Sequence, residues 1–237
     1  AFLPDLDAIP SEVLAGAGVL YLNYPNNPTG AVATKEFFSK VVDFARRNDL
    51  IVIHDNAYSE ITFDGYVAPS FLESPGAADV GVEIFSLSKG WNMTGWRIGF
   101  IAGNRGVISA LKHLKPNIDA GPFGAIQDAA IAALTVGRAF PREMSRVYQE
   151  RRDVIIPVLR NLGLHVNEPV ASLFLWGRIT ADISSADLAN RIFDEAGVVI
   201  SPGSSFGPSG EGYVRVALTA PIERLTEAAQ RLQRLTL

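Results

Sequence analysis

Several polar residues close, follow or open short apolar runs: Asn27, Asp55, the segment Ser86 to Lys89, and Arg97. A further one, Arg215, lies within such a run near the end of the chain. Together they supply an amide, a carboxylate, two hydroxyls (Ser86 and Ser88), an amine and two guanidinium groups. Serine hydroxyls and a forked guanidinium suit phosphate oxygens, and arginine does this better than lysine. Each residue also has an ordinary reading. A lysine taken at random is a solvated surface residue, because lysine is almost never buried unpaired. Asp55 followed by Asn56 reads equally as a cap or a strand-end turn, and Asn-Pro and Thr-Gly are turn dipeptides. An arginine on the outer face of a strand is ordinarily just solvated. Residue type leaves the choice open, and position has to decide it.

The runs that carry these residues are VLYLNY at 19–24, LIVIHD at 50–55, EIFSL at 83–87 and RIGFIAG at 97–103. Rich in Val, Ile and Phe and nearly continuous in hydrophobicity, they read as strands buried on both faces. Between the first two, Phe37, Phe38, Val41, Val42 and Ala45 recur at helical spacing, with Thr34 as N-cap and Glu36 in the first turn. Strand, helix, strand is a βαβ unit, so a parallel sheet flanked by helices follows. In open α/β sheets ligands bind at the carboxyl ends of strands, where Asn27, Asp55 and Ser86 to Lys89 all fall. Seven residues separate Lys89 from Arg97, too few for a parallel crossover. The fourth strand must therefore run antiparallel if it pairs with the third, which brings Arg97 to the same edge.

The second half reads as helices over 122–136 and 141–162, then a smaller α+β unit. Pro157 is expected to kink or break the second helix, since an interior proline costs about 3 kcal/mol. Strands are expected at LFLWGRI 173–179, VVIS 198–201 and YVRVAL 213–218, and helices near 185–196 and over PIERLTEAAQRLQRL at the end. The pattern predicts a large domain over 1–147 and a C-terminal small domain over 148–237, divided within the long helix. In YVRVAL the period of two sets Arg215 on the face opposite Val214, Val216 and Leu218.

Bulk properties narrow the function classes. A chain of 237 residues with 48% hydrophobic and 19% charged residues belongs with globular rather than disordered proteins. Its net charge of −4 offers no basis for binding nucleic acid or an anionic membrane. With no cysteine, disulfides and thiolate chemistry are excluded, which suits a reducing cytoplasm. His54, His113 and His165 lack ligand spacing, so no metal site is expected.

The segment SLSKGWNMTGWRIGF, 86 to 100, resembles the cofactor-lysine signature of the class I/II aminotransferases, the fold-type-I pyridoxal-phosphate enzymes. YPNNPTG at 24–30 and HDNAYSE at 54–60 are similar to that family's other two hallmarks, in the same order, and the likeness continues to SPGSSFG and YVRVALT. It implies an α/β large domain, incomplete at its N-terminus and built on a mostly parallel sheet with one antiparallel strand, plus a smaller α+β domain. Lys89 would bond covalently to the aldehyde of pyridoxal 5'-phosphate and shuttle the substrate proton. Asp55 would pair with the pyridine nitrogen, Asn27 and Tyr58 with the phenolic oxygen, and Ser86, Ser88 and Arg97 with the phosphate. Arg215 would clamp the substrate α-carboxylate. LPDLDAIP, AYSEITFDGY and PSFLE further resemble the LL-diaminopimelate aminotransferase branch, which exchanges that amino group with 2-oxoglutarate in lysine biosynthesis. Relatives acting on alanine, aspartate, methionine or aromatic amino acids share much of this wording.

Family members carry a substantial N-terminal portion ahead of the point where AFLPDLDAIP begins. It holds a phosphate-binding turn, an aromatic that stacks on the cofactor and a tyrosine given across a homodimer interface. The resemblance thus implies a partial chain that holds the cofactor weakly by itself, with a positive mean hydropathy of +0.17 to match. Two other classes share the motifs: cofactor-sensing domains of transcription regulators, and lyases or decarboxylases using the same lysine and aspartate.

Overall fold

The computed structural model describes residues 2–137 and 139–235. Its first sheet is built from β1 (Val19–Asn23), β2 (Ile51–Asp55), β3 (Gly81–Ser86) and β4 (Gly99–Gly103), in that spatial order. β1, β2 and β3 are parallel, whereas β4 runs antiparallel to β3 with Ser86 opposite Gly99. The short Lys89 to Arg97 spacing demanded this reversal.

Between β1 and β2 runs α1 (Lys35–Arg47). The Thr34 hydroxyl caps it by accepting from the Phe37 N–H at 3.2 Å. Phe37, Phe38, Val41, Val42 and Ala45 are buried as their spacing predicts, and Phe44 joins them. They pack with Leu22, Val52 and Phe71 into a core under one face of the sheet. The expectation of burial on both faces needs correction. Val19 and Tyr21 on β1 are 52% and 58% exposed, and Phe100 on β4 is 43% exposed. β1 and β4 are the edges of the sheet, and their second face is open among the described residues.

A buried polar knot lies behind the carboxyl end of β2. Glu83, fully buried, accepts hydrogen bonds from Asn56 Nδ2 at 2.5 Å, Ser70 Oγ at 2.7 Å and the Leu72 N–H at 3.2 Å. His54 Nε2 donates to the Tyr24 carbonyl at 2.9 Å. Its Nδ1 stands 3.5 Å from Glu83 Oε2 and has no hydrogen bond among the described residues. Burial raises the Glu83 carboxyl, but His54, Ser70 and Asn56 outweigh it and hold the group below its ordinary 4.5. Glu83→Gln should cost about 2 kcal/mol at neutral pH, measured by urea denaturation, because hydrogen bonds to a charged group are the stronger kind. A folded value below the unfolded one means that the unfolded chain binds more protons in acid. The wild-type advantage is therefore complete above the ordinary value and lost as pH falls through the folded one, where the two proteins should converge.

After β3 come α2 (Leu87–Gly90), α3 (Arg105–Leu114), α4 (Gly124–Thr135) and α5 (Phe140–Asn161). α5 runs through residue 147 and does not break at Pro157. Ile155, Ile156, Val158 and Leu159 on either side of the proline are buried, and this burial outweighs the local penalty. Since Pro157 itself is exposed, Pro157→Ala should stabilise the fold by about 1 to 3 kcal/mol, seen as a higher thermal midpoint.

The second sheet contains β5 (Leu164–Val166), β6 (Phe174–Ile179), β7 (Ser201–Pro202) and β8 (Tyr213–Ala217), in the order β5-β6-β8-β7 with antiparallel neighbours. α6 (Ser185–Ala196) and α7 (Ile222–Leu232) cover it. Leu159, Leu175, Leu188, Ile192, Val214 and Leu218 form its core, joined by Tyr58, Ile61 and Phe63 from the loop after β2. The strand expected over 198–201 shrinks to Ser201–Pro202. Gly197 turns left-handed at φ 63° to end α6, Val199 is 80% exposed, and Pro202 has no N–H to extend the ladder. The three residues of β5 were too few to read from pattern.

Candidate active site

The loop after β1 carries Asn27 toward the second sheet. Its peptide bonds to Pro25 and Pro28 are both cis. Asn23 Oδ1 accepts from the Asn27 N–H at 2.9 Å, and Asn26 Oδ1 accepts from the Thr29 N–H at 3.0 Å, so the turn is held by its own asparagines. Gly30 has φ 67°, and a Cβ there would lie 3.1 Å from Pro169 Cβ and 3.2 Å from the Phe174 carbonyl. Only glycine meets both demands.

Two predicted residues then meet directly, and Tyr58 and Asp55 lie near them. Arg215 on β8 donates from Nη1 to Asn27 Oδ1 at 2.9 Å. With its oxygen so used, the Asn27 amide turns its NH2 the other way. The half-loop residue Tyr58 is buried and interacts with Asn27, Asp55 and Arg215. Burial first, then the Asp55 charge, raise the Tyr58 phenol above its ordinary value, with Arg215 and Asn27 opposing, so it is protonated at neutral pH. The Arg215 guanidinium lies between two rings, 4.4 Å from the centroid of Phe174 and 4.7 Å from that of Phe206. Burial lowers its ionisation value, opposed by Tyr58. Its Nη2 is 3.4 Å from Ser201 Oγ, and its Nε is buried with no partner among the described residues.

The remaining predicted residues form a second group on the β3–β4 edge. Ser86 caps α2, its Oγ accepting from the Ser88 N–H at 3.2 Å. Ser88 is buried, and its carbonyl accepts from Thr94 Oγ1 at 2.8 Å. Lys89 is half-buried, and its amine has no hydrogen bond or ion pair among the described residues. Arg97 is exposed and left-handed at φ 52°, with Nη1 donating to the Thr94 carbonyl at 3.1 Å. No hydrogen bond or ion pair joins the side chains of the two groups among the described residues. The sheet joins them instead: Asp55 sits opposite Ile84, and the Asn56 N–H bonds the Ile84 carbonyl at 2.9 Å.

Three partners escaped the sequence reading. Tyr21 donates to Asp55 Oδ2 at 2.9 Å, and its only advance sign was sharing strand parity with Asn23, which lies opposite Asp55. Phe174 and Phe206 had none, since their meeting depends on how distant segments pack. The largest cavity among those described, about 640 Å³ and lined by Asn56, Glu60, Tyr66, Phe85, Arg142 and Arg146, contains none of the predicted residues.

The donor set fits pyridoxal phosphate. It offers a free amine for an aldehyde, a carboxylate for a ring nitrogen, an amide NH2 and a phenol for an oxyanion, and hydroxyls with a guanidinium for phosphate. The unpartnered Arg215 Nε fits an incoming carboxylate.

The family Aminotransferase class I and II matches residues 2–232, and the chain belongs to that family. It is 54% identical to the LL-diaminopimelate aminotransferase of Moorella thermoacetica over 98% of this chain and 60% of that protein. With the enzyme of the same name from Desulforudis audaxviator it shares 51% over 98% and 59%. Among solved structures, apo BacF from Bacillus subtilis superposes with a TM-score of 0.94 at 37% identity, over 100% of this chain and 63% of that one. A probable N-succinyldiaminopimelate aminotransferase from Thermus thermophilus gives 0.91 at 40%, over 98% and 62%. The chain thus spans about 60% of the length of the curated relatives it matches.

Proposed function

We propose that this chain is the lysine-bearing and carboxylate-binding part of a pyridoxal-phosphate-dependent aminotransferase acting on LL-diaminopimelate and 2-oxoglutarate in lysine biosynthesis. The observation that carries the reading is the hydrogen bond from Arg215 to Asn27, with Tyr58 and Asp55 near it and an unpaired Lys89 just after the neighbouring strand β3. The names of the relatives at 54% and 51% identity support the substrate.

The cofactor, when bound, supplies an electron sink next to the substrate α-carbon. Lys89 Nζ would hold it covalently and would carry the proton from that carbon. Asp55 would keep a proton on the ring nitrogen, because an opposite charge at contact favours the protonated form. Asn27 and Tyr58 would donate to the phenolic oxygen, while Ser86, Ser88 and Arg97 would hold the phosphate. Arg215 fixes the substrate carboxylate and so orients the reacting bond.

The reading includes two units, 1–147 and 148–237, meeting within α5, and a cytoplasmic homodimer of the longer protein. Family membership and the lack of cysteine support these points. No described helix is long and apolar enough to cross a membrane. Borohydride reduction after loading with pyridoxal phosphate, followed by peptide mapping, tests the site. The label is expected on Lys89, and a label elsewhere overturns the assignment. Transfer of nitrogen from LL-diaminopimelate to 2-oxoglutarate tests the reaction, since a lyase would release a fragment instead.

A further inference from the structure

Asp55 ends β2 with an asymmetric carboxylate. Tyr21 Oη donates to Oδ2 at 2.9 Å, whereas Asn23 Nδ2, the nearest polar group across the register, goes to the Asp55 main-chain carbonyl at 2.9 Å. Oδ1 has no hydrogen bond among the described residues. The geometry behind this is simple. Asn23 lies directly opposite Asp55, and Tyr21, two residues earlier on the same face, is the diagonal neighbour that a long aromatic side chain reaches. A carboxylate at a strand end is otherwise free to turn about its last torsion, with its oxygens equivalent.

We infer that Tyr21 is a positioning residue, whose hydroxyl pins Oδ2 of Asp55 and leaves Oδ1 presented to the cofactor's ring nitrogen. The inference rests on the reading of Asp55 proposed above. It accounts for a tyrosine that is 58% exposed yet commits its hydroxyl to the one carboxylate the site needs. The phenol is a donor throughout the working pH range, since burial and the bond to Asp55 push it up to about 12. It takes up negative charge on Oδ2 without supplying a proton of its own.

The test compares pyridoxal phosphate with its 1-deaza analogue, in which a CH replaces the ring nitrogen while aldehyde and phosphate are kept. Dissociation constants of both are measured by absorbance titration for the protein, Tyr21→Phe and Asp55→Ala. Tyr21→Phe removes a single hydroxyl from an exposed ring. It should weaken pyridoxal phosphate about fivefold and leave the deaza analogue within about twofold, as the loss of one hydrogen bond predicts. Asp55→Ala should weaken pyridoxal phosphate further still and leave the deaza analogue little changed, so that the two affinities converge. If Tyr21→Phe weakens both ligands alike, or neither, while Asp55→Ala weakens pyridoxal phosphate selectively, the role of Tyr21 is overturned and that of Asp55 stands. If Asp55→Ala also weakens both ligands alike, or neither, the reading of Asp55 falls and the inference with it.

Discussion

Lys89→Ala should abolish the borohydride-fixed label and lower amino-group transfer at least about 1,000-fold, since the proposed reading makes the residue both covalent anchor and proton carrier. The size of the effect follows from the two tasks meeting at one atom. Proton transfer by a positioned group is worth about 100- to 10,000-fold by itself. Losing the covalent bond adds a cost in holding the cofactor. Stability should hardly move, because the amine has no partner among the described residues. Label mapping, steady-state rates and a thermal melt on the same preparation check all three expectations. A variant that kept its label would remove Lys89 from the mechanism, whatever its rate.

Arg215→Ala should raise KM for both the amino acid and the oxo acid about 100-fold, because a bidentate charge-assisted pair is worth about 3 kcal/mol. Arg215→Lys should recover only part of this. The guanidinium is flat, held between Phe174 and Phe206, and already bonded to Asn27 through Nη1. A lysine ammonium carries the charge but neither the fork nor the planar stacking. An amine substrate lacking the carboxylate should react equally with wild type and both variants. If it lost as much as LL-diaminopimelate, Arg215 would be holding the fold rather than the substrate.

Much of this architecture could be read from local pattern, and the failures have a common cause. The helical spacing of Phe37, Phe38, Val41 and Val42 located α1, and seven residues between Lys89 and Arg97 sufficed to turn β4 around. Both are statements about neighbours in the chain. Tyr21 and Asp55 are 34 residues apart, and Arg215 and Asn27 are 188 apart; no periodicity ties such pairs. Pro157 and the shortened β7 went wrong in complementary ways. At Pro157 a local penalty lost to burial of its neighbours, and at Val198 to Ile200 an apolar run lost to a glycine turn and a donorless proline. The open face of β1 and β4 had no local sign either, since Val and Tyr on an edge read like Val and Tyr in a core.

The hydrogen bond from Arg215 to Asn27 bridges the two sheets, and it makes their occupancies thermodynamically reciprocal. If a carboxylate on Arg215 alters the pull of Nη1 on the Asn27 oxygen, it alters the affinity of the Asn27 NH2 for whatever oxyanion it meets. By linkage that oxyanion must change the affinity of Arg215 for the carboxylate by the same factor. Under the proposed reading, substrate analogues and cofactor analogues should report on one another through this amide, and Asn27→Ala should uncouple them.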